Sequence, residues 1–193
     1  MNDADICRPT FLNDQHTMEE TKQILHVTNT TAVCPIGETT GRRNIENRAI
    51  PVLSCEGACI RGEIARLAAN QLAKKPGFAR ACHGELFSVP DSEMARWVRQ
   101  AEQVLVLDGC HLKCHARIIE NIAGKSRVRS FNLLARHRKY CEVFDIDDVP
   151  ECERLATAKD CAAWVADQLN GKQSSGASCE LSEAPGGSCS CKD

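Results

Sequence analysis

Thirteen cysteines stand in a chain of 193 residues, and four of them fall where a backbone can aim a thiol. Cys55 follows the apolar run AIPVLS, and Cys82 lies late in FARACHGELFS. Cys110 ends VLVLDGC, and Cys114 comes four residues later, just ahead of HARIIENIAG. A reducing compartment keeps most thiols from pairing, so metal ligation or thiol chemistry is the first use to consider for so many. Tetrahedral zinc takes four thiolates at about 2.3 Å, and an iron–sulfur cluster takes four as well. Helix starts favour the thiolate form, and if Cys110 and Cys114 share a first helical turn, their spacing makes them neighbours. Asp108 and Gly109 belong to the same stretch. A glycine there lets the backbone turn sharply off a strand, and Asp108 can accept hydrogen bonds from the loop or orient a ligand.

Other donors lie close in sequence. Cys59 follows Cys55 by four residues, and His83 adjoins Cys82 in a segment with little other reason to be polar; both are additional ligand candidates. His111 and His115 can complete a mixed sulfur–nitrogen site or simply be polar residues at a helix start. His16, His26 and His137 have no evident partners in the sequence. Cys161, in TAKDCAAWVADQL, reads as a small buried hydrophobe, and Cys141 and Cys152 read the same way.

A different chemistry shares the first loop. CEGACIR, Cys55 to Arg61, fits C-x5-R between a strand and a helix, the phosphate loop of low-molecular-weight tyrosine phosphatases and related arsenate reductases. Cys55 would be the nucleophile, with backbone N–H groups cradling an oxyanion and Arg61 holding two of its oxygens. The pattern is short, Gly62 stands where those enzymes usually carry Ser, and no Asp-Pro-aromatic acid segment follows.

These residues need elements to position them. AIPVLS is a short apolar run, and GEIARLAANQLAKK has helical spacing with Pro76-Gly77 as a stop. FARACHGELFS reads as a weaker strand, and Asp91 or Ser92 can cap the amphipathic SEMARWVRQAEQ. VLVLDGC is the continuous apolar run of a strand buried on both faces, and HARIIENIAG is a helix closed by glycine. SRVRSFNLLA supplies another strand and ATAKDCAAWVADQLN a closing helix. Strands alternating with helices predict an α/β fold: a three-layer, Rossmann-like sandwich around a mostly parallel sheet. Ligands of such sheets bind beyond the carboxyl ends of the strands, where these cysteines stand.

SCEGA, ACHG and above all LVLDGCHLKCHARII resemble the DGC-domain family, named for its Asp-Gly-Cys motif and regarded as zinc-binding through four cysteines. The resemblance runs from about Ala49 to Asn170. Residue by residue it points to Cys55, Cys82, Cys110 and Cys114, and it implies metal binding more strongly than any reaction. The family pattern carries no thiol at the position of Cys59 and often a different residue at His83.

The remaining expectations concern surroundings. Residues 1–48 form an extension in which ILHVTNTTAV can add a strand, and residues 49–170 form the metal-binding domain. The Gly/Ser-rich residues 171–193, carrying Cys179, Cys189 and Cys191, read as a flexible tail able to gather a soft ion. A net charge of -2 with interspersed signs leaves no extended basic surface for nucleic acid. MNDADICRPTFLND lacks the basic and apolar regions of a signal peptide, and no apolar run suits a bilayer, so a cytoplasmic protein is expected. Its expected partners are a metal ion and a metal- or thiol-handling protein.

Overall fold

The computed structural model describes residue 24 and residues 26–171. Four strands, β1 (Ile50–Ser54), β2 (Phe78–Arg80), β3 (Val104–Asp108) and β4 (Val128–Asn132), form one sheet in the order β2-β1-β3-β4. Every pairing is parallel: Val52 lies opposite both Arg80 and Leu105, and Asp108 lies opposite Asn132. Seven helices join or cover them: α1 (Pro35–Glu46), α2 (Ile60–Leu72), α3 (His83–Ser88), α4 (Glu93–Gln100), α5 (Cys114–Ala123), α6 (Leu134–His137) and α7 (Glu151–Leu169). The chain is thus α/β.

The two-residue period of the strands explains the layers. Val52, Leu105, Leu107 and Phe131 point to one face and pack with Ile60, Ile64, Leu72, Ala158 and Val165 of α2 and α7. Leu53, Val104 and Val106 point to the other and pack with Trp97 and Val98 of α4 and Ile119 of α5. Each fully buried aliphatic side chain contributes about 1.5–3 kcal/mol relative to exposure. All five residues of β3 are buried, the central position that its unbroken apolar run required. The N-terminus of α4 is capped by Ser92, whose Oγ accepts the Ala95 N–H at 3.1 Å, and Trp97 is held by its indole N–H donating to the Ala49 carbonyl at 2.8 Å.

Two elements differ from the sequence reading. No strand forms over residues 26–33; these residues are exposed, and their Thr-Asn-Thr-Thr run offers no apolar face to a sheet. The chain instead enters α1, whose buried residues are Gly37, Gly41 and Asn44. At Gly41 an added Cβ would press on the backbone of Glu93 and Met94, so α1 meets the start of α4 at backbone contact. There Glu38 Oε1 accepts the Glu93 N–H at 2.7 Å. The second difference is that β2 ends at Arg80, and Cys82 lies outside it as the N-cap of α3. The tail cysteines Cys179, Cys189 and Cys191 lie outside the described residues. Among the described residues, no helix is long and apolar enough to cross a membrane.

Candidate metal centre

Three neighbouring strands point their carboxyl ends toward the loops that carry the thiols. Cys82 follows β2, Cys55 follows β1, and Cys110 and Cys114 follow β3, so sheet order β2-β1-β3 sets them along one edge. Cys59 stands at the N-cap position of α2 and Cys82 at that of α3, neither with a side-chain capping hydrogen bond, and Cys114 is the first residue of α5. Cys55, Cys59 and Cys110 are half-buried, Cys82 and Cys114 are exposed, and all five are free thiols.

Cys55 is fixed most firmly. Its N–H donates to the Leu107 carbonyl at 2.8 Å, continuing the β1–β3 ladder one residue past the strand. Its Sγ accepts the Gly57 N–H at 3.4 Å. Burial pushes the Cys55 thiol up, offset in part by the Gly57 and Gly109 N–H groups, while the charges of Asp108 and Cys59 push it further up. That direction does not match a nucleophile held ionised by its own loop. Arg61 of the C-x5-R segment sits in the first turn of α2, and its Nε is buried without a hydrogen-bond partner.

The Asp-Gly-Cys stretch works differently from the sequence expectation in two respects. Gly109 does not adopt a positive φ and so does not owe its place to a left-handed turn. It is required by close approach: a Cβ there would lie 2.5 Å from the Arg61 carbonyl oxygen and 2.9 Å from the Gly62 nitrogen. Cys110 and Cys114 do not share a helical turn either. Helix α5 begins at Cys114, after Lys113 in the left-handed region at φ 49°, and Cys110 lies in the turn closed by the Lys113 N–H on its carbonyl at 3.3 Å. The loop rather than the helical repeat brings the second thiol back. Asp108 does accept from the loop end, taking the His115 N–H on Oδ1 at 3.2 Å. Its carboxyl is nonetheless held above the usual range by burial.

Beside the thiols lies a polar cluster that single-residue reading could not assemble. His83 and His115 place their ring centroids 5.2 Å apart, and Glu56 Oε1 stands 4.0 Å from His83 Nδ1. Glu56 is itself held by Arg80, at 3.0 Å, and by the Ser54 hydroxyl, at 2.7 Å. Burial first, then the neighbouring His115, lowers His83 to about 4. His83 Nε2, His115 Nδ1 and Asp108 Oδ2 are all buried without a hydrogen-bond partner. Buried polar groups of this kind cost about 1–3 kcal/mol each unless water or another group meets them. Among the described residues, no three His, Cys, Asp or Glu side chains are yet grouped around an ion position. Thiols are the donor type that a soft or borderline ion takes.

Cys161 is fully buried and its thiol is pushed up to about 12, as a core residue should be; Cys152 is half-buried. A cleft of about 380 Å³ lies apart from the thiols, lined by Thr40, Arg43, Asn70, Lys74 and Arg80 among others. His137, which has no partner legible in the sequence, accepts the Lys139 N–H on Nδ1 at 3.0 Å. Burial, then the charges of Lys139 and Arg61, lowers it from 6.5 to about 4, with Asp160 opposing. The unfolded chain therefore binds more protons between those values, so this stabilisation is complete above about pH 6.5 and is lost as pH falls toward 4. His137→Gln is expected to flatten the acid dependence of the melting temperature across that window. An unchanged slope would assign the acid sensitivity to other groups.

Residues 51–142 match the family model of the DGC domain, a span that contains Cys55, Cys82, Cys110 and Cys114. No curated protein and no solved structure matches the chain.

Proposed function

The chain carries a DGC domain at residues 51–142, and from that premise we propose that Cys55, Cys82, Cys110 and Cys114 hold one zinc ion. The observation that carries this reading is the delivery of all four thiols to the loops beyond three adjacent parallel strands. Four thiolates satisfy tetrahedral zinc, and the helix starts at Cys82 and Cys114 offset the negative charge that four thiolates gather. An iron–sulfur cluster is the other occupant this donor set can take, and the colour of the anaerobically purified protein separates the two. In the cell the protein serves metal or thiol homeostasis in a reducing compartment, with the cytoplasm its expected place and a metal- or thiol-handling protein its expected partner.

The cysteine-dependent phosphatase or arsenate-reductase reading, with Cys55 as nucleophile and Arg61 as oxyanion clamp, makes an opposite forecast for thiol reactivity. Zinc should protect Cys55 and Cys110 from alkylation until a chelator is added, whereas a catalytic thiolate at Cys55 should react rapidly without one. Cys59, outside the four, separates the ligand sets. Cys59→Ser is expected to retain stoichiometric zinc while changing the alkylation rate of Cys55. Loss of zinc equal to that in Cys55→Ser would place Cys59 among the ligands.

A further inference from the structure

Helices α1 and α2 meet the edge strand β2 around the cleft of about 380 Å³, a volume within the range of small-molecule sites. Arg43 of α1, Lys74 just past α2 and Arg80 of β2 bring three cations to its lining, together with Thr40 and Asn70. Among the described residues, no carboxylate lines it.

Basic residues near helix ends ordinarily serve the last carbonyls and the helix dipole. Arg43 stands in the last turn of α1, and Lys74 lies two residues beyond the end of α2. Among the described residues, however, neither side chain hydrogen-bonds a carbonyl or pairs with an acid. The dipole accounts for their place and leaves their donors unspent. The Thr40 hydroxyl and the Asn70 amide, on half-buried residues, likewise have no hydrogen-bond partner among the described residues. Arg80 differs, because its guanidinium donates to the Val52 carbonyl, the Ser54 hydroxyl and Glu56, each at 3.0 Å. With Glu56 answering Arg80, the uncompensated charge of the cleft is that of Arg43 and Lys74.

We propose that this cleft binds a phosphorylated small molecule, its phosphoryl group on Arg43 and Lys74 and its polar body on Thr40 and Asn70. A phosphoryl group carries about 1.5–2 negative charges at neutral pH, which matches two unpaired cations, whereas one carboxylate would leave a cation unanswered. The arginine fork takes two phosphoryl oxygens and the lysine acts as a point charge on the same group. A nucleic-acid chain fits less well, since the net charge is -2 and the cations gather in a cleft instead of spreading along a surface. The site shares no residue with the four cysteines and does not rest on the zinc reading.

Isothermal titration calorimetry of the full-length protein under reducing conditions tests the proposal, with pyrophosphate as the probe and ionic strength held constant with potassium chloride. The expected result is one saturable equivalent of pyrophosphate, displaced more weakly by inorganic phosphate. In the Arg43→Gln/Lys74→Gln double variant the affinity should fall at least tenfold. Both side chains are exposed and unpaired, so the melting temperature should match the parent. Arg42→Gln/Lys75→Gln removes the same charge from exposed neighbours outside the lining and should leave pyrophosphate binding unchanged. Absence of saturable binding in the parent, or undiminished binding in the first double variant, overturns the proposal. An equal loss in both double variants also overturns it, because binding would then follow net charge and not the cleft. Binding that survives the first double variant and disappears in Cys110→Ser would place the pyrophosphate on an ion at the thiols and overturn it as well.

Discussion

Cys110→Ser and Cys114→Ser are each expected to lose stoichiometric zinc and, with it, a large part of the protein's thermal stability. A ligand that binds only the folded chain stabilises it by about 4 kcal/mol when its concentration is a thousandfold above its Kd. For a chain of this length, 1 kcal/mol corresponds to about 2–4 °C in Tm. The zinc-loaded parent should therefore melt about 8–16 °C above either variant. In excess chelator the three proteins should converge, because serine replaces a surface-reachable thiol without disturbing the core. Full zinc content in both variants, or a stability gap that survives chelator, would show that these thiols do not act through an ion.

Gly109→Ala should produce the complementary pattern. The new methyl would meet the Arg61 carbonyl and the Gly62 nitrogen, both backbone atoms in the first turn of a buried helix, and neither can swing aside. Overpacking against fixed backbone belongs to the costlier class of substitutions, here about 3 kcal/mol or more. Because β3 and α2 would be forced apart, the loops bearing Cys55 and Cys110 would separate too, so zinc affinity should fall with stability. Unlike the cysteine variants, Gly109→Ala should remain destabilised in chelator. Chemical denaturation with and without chelator separates the two; a cost below about 0.5 kcal/mol would mean that the loop relaxes around the methyl.

The contrast between these variants marks how far the sequence could be read. Strands β1 and β3 were legible because central parallel strands are buried on both faces and show as unbroken apolar runs, IPVLS and VLVLD. The order in which they carry thiols followed from that. Helix α1 was not legible, because its buried face is Gly37, Gly41 and Asn44, small and polar residues that no apolar periodicity reveals. Its packing depends on backbone approach, a property of the partner helix as much as of its own residues. The same limit applies at Gly109, where the motif suggested a turn and the reason lies in the backbone of Arg61, 48 residues earlier. The route from Cys110 to Cys114 is local, but the Lys113 left-handed turn that shapes it has no apolar signature. The meeting of His83 with His115 is not local in sequence and needed the fold before it could be seen.

The four-cysteine zinc site is the central claim, and zinc K-edge X-ray absorption on the full-length protein loaded with one equivalent tests it most directly. The account predicts a first shell of four sulfurs at about 2.3 Å, with that shell lost in Cys110→Ser. A first shell of nitrogen and oxygen in the parent, or an undiminished four-sulfur shell in Cys110→Ser, would contradict it.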